Sequence, residues 1–94
     1  MFNILIYETP SGNAPYHKFI EDLLNNHKER IYYRLSGILQ GLEEYGLDYK
    51  KRNPQAIKPV RDGIYEIRAS SSRVFFFCLD KDKIILLHGF EKKR

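Results

Sequence analysis

The amino-acid sequence predicts an α+β fold in which a helical hairpin covers one face of a largely antiparallel sheet. Two consecutive stretches in the first half place their apolar residues at helical spacing, whereas the second half contains short apolar runs separated by turn residues. A further short apolar run opens the chain. The predicted order is therefore one strand, an antiparallel helical hairpin and an antiparallel meander of three to four strands. Because a lone strand is not stable, the first strand must pair with a later one.

The first strand and both helices are predicted in the N-terminal half. Residues 2–7 form the strand, and turn residues at 9–13 end it. Each helix has one apolar stripe, formed in the first by Tyr16, Phe19, Ile20, Leu23, Leu24 and His27 and in the second by Ile31, Leu35, Ile38, Leu42 and Tyr45. The connection between them is short, which predicts an antiparallel pair.

The second half begins with a polar, basic segment, residues 47–56, for which a loop is predicted. Strands are predicted at residues 57–60, 64–69, 73–79 and 84–90, with a charged turn at 80–83. Net charge is −3 over residues 1–49 and +7 over residues 50–94. Such a basic half suggests a polyanionic partner, most often nucleic acid, or simply a soluble basic surface, and composition does not separate the two.

The length of the chain and its cysteine content limit the kinds of fold and site that it can form. The 94 residues suffice for a single domain, 1–94, with a modest core, so any site is expected on an exposed face or in a shallow groove. The one cysteine, Cys78, excludes an internal disulfide, and its place in a strand predicts a buried thiol. Without a long apolar run or a signal peptide, we expect a cytoplasmic protein with no membrane contact.

Strand alternation assigns the meander side chains to two sheet faces. Arg68 shares a face with Glu66, and Arg73 shares one with Phe75. In the last strand, one face is predicted to hold Ile84, Leu86, His88 and Phe90. Both faces of the last two strands are largely apolar.

Arg68 and Arg73 flank a four-residue turn and are predicted to be cross-strand neighbours. Two guanidinium groups held together repel each other, so they require a carboxylate or a bound anion between them. Glu66, two residues before Arg68 on its face, is a candidate carboxylate. Spacing alone favours this salt bridge but leaves an anion site open.

Most standard chemistries lack their motifs. The chain has no P-loop, no GxGxxG and no HExxH, and its three histidines lack metal-ligand spacing, so neither a metal nor a cofactor is expected. The polar side chains of the meander could instead cleave RNA without a metal. In that reaction a base takes the proton from the ribose 2′-OH, cations stabilise the phosphorane and an acid protonates the 5′-oxygen.

The second half resembles the C-terminal region of toxins of the RelE/ParE superfamily, and most closely the phage-derived Gp49-like, HigB-like branch. The matching segments are Lys58, Gly63, Tyr65-Glu66-Ile67-Arg68, Arg73-Val74-Phe75-Phe76 and Leu86-Leu87-His88-Gly89-Phe90 followed by Lys92-Lys93. The resemblance implies a RelE-like fold and a type II toxin that cleaves mRNA on the ribosome. It further implies a cognate antitoxin, expected to be a helix-turn-helix protein, and a toxin–antitoxin hetero-oligomer.

The resemblance also directs the choice of site residues. The predicted catalytic residues are Arg68, Arg73, His88, Lys92 and Lys93. The predicted RNA-binding residues are Lys50, Lys51, Arg52, Lys58, Arg61, Tyr65 and Arg94. His88 is the candidate for proton transfer, with a packed strand histidine as the alternative.

Family members usually continue past the two lysines with a further helix, whereas this sequence stops at Arg94. The family's C-terminal helix is therefore expected to be absent. Two other functions stay open: a gyrase inhibitor of the ParE kind, and a non-catalytic remnant that binds RNA or an antitoxin.

Overall fold

The structure is a computed structural model that describes residues 1–92, and its elements confirm the α+β class. The elements are β1 (Asn3–Ile6), α1 (Pro15–Asn25), α2 (Glu29–Tyr45), a 3-10 turn (Gly46–Asp48), α3 (Tyr49–Arg52), β2 (Ile57–Arg61), β3 (Ile64–Ala69), β4 (Ser72–Leu79) and β5 (Lys83–Glu91). No helix among residues 1–92 is long and apolar enough to cross a membrane.

The strands form one five-stranded mixed sheet in the order β1-β5-β4-β3-β2. β2 to β5 make the predicted antiparallel meander. β1 pairs with β5 in parallel, which confirms that the first strand joins a later one. The helices return the chain from β1 to the opposite edge of the sheet, where β2 begins.

The core lies between the helices and one face of the sheet. α1 and α2 contribute most of the predicted stripes, with Leu23, Leu35 and Leu42 almost fully buried. The prediction was wrong for Leu24, which is exposed, and for His27, which is exposed and lies beyond the end of α1. The sheet contributes every second residue of its strands, and the fully buried members are Ile57, Ile67, Ala69, Ser72, Val74, Phe76, Ile84 and Leu86. One face of the meander is therefore committed to packing, and the other is left for solvent or a partner.

The segment predicted as a loop contains the 3-10 turn and α3. Tyr49 of α3 lies over Gly41 of α2, where a Cβ would overlap its ring. The same ring stacks on Tyr45 with centroids 6.4 Å apart. The prediction was wrong here because tertiary contacts of one aromatic ring, and not an apolar repeat, hold this single turn of helix.

A β-bulge corrects the predicted faces of β5. Phe75 is paired with His88 and Phe76 with Leu86, so Leu87 is an extra residue in the ladder. Each bulge shifts the alternation by one position. His88 and Phe90 therefore lie on the face opposite to Ile84 and Leu86, not on the same face as predicted.

Cys78 is exposed, which overturns the predicted buried thiol. It lies near the β4–β5 turn, and its neighbour Leu79 is also exposed. The helices cover the middle of the sheet and leave this end of β4 open. Partial burial still raises the pKa of the Cys78 thiol.

Candidate functional site

The sheet face turned away from the helices, here called the open face, gathers four of the predicted site residues: Lys58, Arg68, Arg73 and His88. One cross-strand row runs from Lys58 on β2 through Glu66 and Phe75 to His88 on β5. The next row consists of Arg68, Arg73 and Phe90. Directly opposed residues have Cβ atoms about 5 Å apart, so these two rows form one continuous surface.

Arg68 and Arg73 are direct cross-strand partners, as predicted. Glu66 lies between them: its Oε2 is 3.0 Å from Nε of Arg68, and its Oε1 is 3.8 Å from Nε of Arg73. The predicted salt bridge is confirmed, and a single carboxylate serves both guanidinium groups. One positive charge of the trio is left uncompensated.

The two arginines differ in how firmly the fold holds them. Arg73 has a side chain 14% exposed, and its Nη1 donates hydrogen bonds of 2.9 Å to the carbonyl oxygens of Ser70 and Ser72. The Arg68 side chain is 43% exposed. Arg73 is thus anchored to the β3–β4 turn, whereas Arg68 presents more of its guanidinium group to solvent.

Aromatic rings lie beside the cations. The His88 ring meets the edge of Phe75 at 5.2 Å between centroids, and Phe90 lies 5.6 Å from Phe75. A shallow cavity of about 450 Å³ opens next to them, lined by Val60, Arg61, Asp62, Ile64, Phe75, Leu87 and His88. The open face therefore combines guanidinium groups that suit phosphate with an apolar floor that suits a nucleobase.

Two further predicted residues lie at the margins of the open face. Lys92 follows β5 and is exposed, and its backbone N–H donates a 2.7 Å hydrogen bond to the carbonyl of Ser71 in the β3–β4 turn. This bond holds Lys92 at the same end of the sheet as the arginine pair. Arg61, at the far end of β2, is exposed and has its Nε 3.3 Å from Asp62.

The remaining predictions lie elsewhere. Tyr65 is on the helix-covered face, where its ring stacks on Phe76 at 5.6 Å. Lys50, Lys51 and Arg52 belong to α3 in the helical layer, with the Arg52 guanidinium 4.0 Å above the Tyr45 ring. The structure does not bring these four side chains to the open face. Lys93 and Arg94 lie outside the described residues.

The sequence did not identify two parts of the site. The first is the double role of Glu66, because a periodic pattern shows which residues share a face but not which rotamers meet. The second is the place of Phe90 beside Arg73, which depends on the bulge at Leu87. Two nearly apolar faces on β5 were the only sign of this arrangement.

Among residues 1–92, no three or more His, Cys, Asp or Glu side chains converge in an arrangement that could hold a metal ion. Cations, histidine and the aromatic floor are the chemistry that the open face offers.

The family model of phage-derived Gp49-like proteins matches residues 18–94, from the second turn of α1 onward. No curated protein matches the chain. The matched range contains the entire meander, β2 to β5, and therefore every residue of the open face named above. β1 lies outside the matched range.

Proposed function

Because the chain belongs to the phage-derived Gp49-like family, a RelE-like toxin family associated with toxin–antitoxin systems, we propose that it is a HigB-like toxin that cleaves mRNA on the ribosome. The observation that carries this proposal is the Arg68–Arg73 pair on the open face, with Glu66 as its one bridging carboxylate. Such a pair is ready to bind a phosphate, which would compete with Glu66 for the guanidinium groups.

The neighbouring side chains supply the rest of an RNA site. Lys58 is next to Glu66 in the cross-strand row, and Lys92 is beside the turn, so cations lie on both sides of the arginine pair. A scissile phosphate bound there would have its developing negative charge stabilised by fixed cations. Because Lys93 follows Lys92 in the sequence, we propose the same role for it.

Metal-free RNA cleavage also needs proton transfer. The ribose 2′-OH attacks the phosphorus as a base removes its proton, and the bond to the 5′-oxygen breaks as an acid protonates that oxygen. His88 is exposed on the open face in contact with Phe75, so we assign it to one of these two transfers. Lys50, Lys51, Arg52, Arg61 and Arg94 would then act as outer contacts with RNA, whereas Tyr65 contributes from the covered face by supporting β3.

Primer extension on mRNA from cells that express the protein tests the proposal. The unchanged chain should arrest growth and produce new 5′ ends within translated messages, and Arg68→Ala with Arg73→Ala should remove both effects. Arg30→Ala with Arg34→Ala is the matched control, because it removes two exposed arginines from α2 in the helical layer. Arg68→Ala alone leaves the turn anchor of Arg73 in place and guards against a folding defect.

Each alternative function predicts a different result. A gyrase inhibitor would leave mRNA intact and block supercoiling by purified gyrase. A non-catalytic remnant would bind RNA with salt-sensitive affinity and leave it uncut on ribosomes. Cleavage that persists unchanged in the folded double variant would contradict the assignment of the arginine pair.

The family association also implies an antitoxin as the physiological partner. We propose a helix-turn-helix antitoxin that forms a hetero-oligomer with this chain. Co-purification of the chain with the product of the adjacent gene tests this partner directly.

A further inference from the structure

The side of α2 that faces away from the sheet carries a second regular stripe, here called the outer stripe. Its exposed residues are spaced three and four apart along the helix and are Arg30, Tyr33, Gly37, Gln40 and Glu44. This spacing places them on one side of α2, away from the stripe that packs in the core. Tyr33 is 69% exposed, more than any other tyrosine or phenylalanine of residues 1–92. The outer stripe therefore displays an aromatic ring and both signs of charge to solvent.

Gly37, in the middle of the outer stripe, is not required by the packing of the described residues. A glycine inside a helix destabilises that helix relative to alanine. Gly41 has an internal reason, since the Tyr49 ring occupies the place of a Cβ. A Cβ on Gly37 would instead lie in open space, with no neighbouring element of residues 1–92 within 4 Å. The missing side chain leaves a flat place on α2 where another backbone can approach closely.

The charges of the outer stripe run against the dipole of α2. Arg30 lies in the first turn, where the partial charge is positive, and Glu44 lies in the last turn beside Glu43, with no basic residue in that turn. Of the charged residues in the two end turns, only Glu29 has the favourable order. Within residues 1–92, Arg30, Glu43 and Glu44 form no salt bridge. This order is unfavourable within one helix and becomes favourable against an identical helix that runs in the opposite direction.

Two further features give the same register for such a pair. If two copies of α2 cross at Gly37, residues equally far from Gly37 face each other, and Arg30 and Glu44 are both seven positions away. Tyr33 of one copy then lies near Gln40 of the other. This part of α2 borders a shallow cavity of about 270 Å³, lined by Ile4, Ser36, Leu39, Gln40 and Glu43. Tyr33 lies on the same flank of α2 as Ser36 and Gln40, so a twofold axis would bring its ring to the cavity of the other copy.

We propose that this chain forms a symmetric homodimer in which two α2 helices pack antiparallel through their outer stripes and cross at Gly37. Arg30 of each copy pairs with Glu44 of the other, and Tyr33 of each copy enters the cavity beside Gln40 of the other. One helix pair covers less than the roughly 800 Å² per partner of a standard interface, so the dimer is weak, with a Kd on the order of 10 μM. The open face lies on the far side of the sheet and stays accessible. The dimer therefore does not depend on RNA cleavage, and cleavage does not require the dimer.

Sedimentation velocity of the full chain tests the proposal. The chain should convert from monomer to dimer as its concentration rises through the micromolar range. Gly37→Lys places a long side chain at the crossing point and should raise the Kd of the dimer by more than about tenfold. Gln55→Lys, the matched control, adds the same charge at an exposed turn before β2 and should change the Kd by less than about threefold.

Exchange of the two charges tests the antiparallel register. Arg30→Glu or Glu44→Arg alone sets like charges opposite each other at two symmetric places and should raise the Kd by about tenfold. The double variant restores both pairs with their signs exchanged and should return the Kd to within about threefold of the original. Within one chain the two residues are fourteen positions apart, about 21 Å along the helix, so only a second chain can produce this rescue.

Thermal unfolding of dilute protein separates this interface from a folding role of Gly37. Gly37→Ala should raise the Tm by about 4–8 °C, because alanine favours the helix and its methyl group has room. A lower Tm in Gly37→Ala would show that the fold itself needs this glycine and would overturn the proposal. A chain that stays monomeric at high concentration, a dimer that Gly37→Lys leaves intact, or a double charge variant without rescue would each overturn it as well.

Discussion

The two faces of β4 are made by alternate residues of one strand and differ in almost every property. Val74 and Phe76 point to the helices and are essentially inaccessible to solvent, whereas Arg73 and Phe75 lie on the open face. The covered face of β4 carries no charged side chain, and its buried groups are aliphatic or aromatic apart from the hydroxyl of Ser72. The open face mixes guanidinium groups, a carboxylate and aromatic rings within two cross-strand rows.

The two faces show how a chain of 94 residues provides both a core and a candidate site. The helices cover only one face, so no residue of the site has to be removed from the core. The positions of the open-face side chains are fixed because the neighbouring residues of the same strands are packed in the core on the other face. Substitutions on the two faces should consequently separate stability from function.

The largest expected effect is on the covered face. Phe76→Ala removes a ring that is 0% exposed and should lower the free energy of unfolding by about 3–5 kcal/mol, the usual cost of such a cavity. Phe75→Ala, one residue away on the open face, should cost less than about 1.5 kcal/mol, because the ring is only partly buried. Urea unfolding followed by circular dichroism measures both. Equal losses would contradict the division between the faces.

The next largest effect is on the pH dependence of stability and is expected from Tyr16, which is buried in the core with 7% of its surface exposed. Burial, with a smaller contribution from Tyr32, raises the pKa of Tyr16 to about 12. The unfolded chain loses this proton near pH 10, so stability is unaffected below that pH and falls between pH 10 and 12, by about 2–3 kcal/mol for this group.

Tyr16→Phe should remove that part of the alkaline loss, which thermal unfolding from pH 8 to 12 would measure. Tyr33→Phe is the control, because Tyr33 is 69% exposed. An identical pH dependence in both variants would show that other groups govern alkaline unfolding.

A smaller effect is expected from Glu66→Gln on the open face. The change keeps the shape of the side chain and removes the charge that compensates Arg68 and Arg73. Single-stranded RNA should then bind more tightly, and the slope of log K against log salt should steepen by about 0.7 for each additional phosphate neutralised.

Fluorescence anisotropy of a labelled RNA oligonucleotide at several salt concentrations measures this slope. Asp62→Asn is the matched control, since it removes an exposed carboxylate that contacts only Arg61 at the end of β2. An unchanged slope in Glu66→Gln would show that the arginine pair does not contact phosphate.

The smallest effect is expected at Cys78, which is exposed at the end of β4 on the side of the helices. Cys78→Ser should change the free energy of unfolding by less than about 0.5 kcal/mol, because the side chain is exposed. A thiol reagent should modify Cys78 in the folded protein, and the rate should rise with pH because the thiolate is the nucleophile. Since burial raises the pKa of Cys78, this rise should occur at higher pH than for a free thiol. A thiol that reacts only after unfolding would contradict the structure at this end of β4.

Much of the fold followed from periodicity. The stripes of α1 and α2 are long enough to define helices, and β3 has the predicted bounds because turn residues flank it on both sides. The parallel pairing of β1 was beyond reach, since the sequence shows that a strand needs a partner but not which edge is vacant. α3 was missed because a helix of four residues has no periodic signal of its own.

The site was predictable where it depended on a single turn. Arg68 and Arg73 flank the β3–β4 connection, so their pairing follows from hairpin geometry. Contacts that depend on rotamers or on ladder irregularities were not predictable. Glu66 reaches both arginines through its two carboxylate oxygens, and His88 joins the open face only because of an extra residue in β5.

The extra residue, Leu87, reverses the side-chain alternation of β5. Before Leu87, the even-numbered residues face the core and the odd-numbered residues face the open side. After Leu87, the even-numbered residues face the open side and the odd-numbered residues face the core. Deleting Leu87 would preserve the composition of the strand almost entirely, yet it would turn His88 and Phe90 toward α1 and direct Gly89 to solvent. The length of β5, more than the identity of any one of its residues, decides on which side of the molecule its chemistry is displayed.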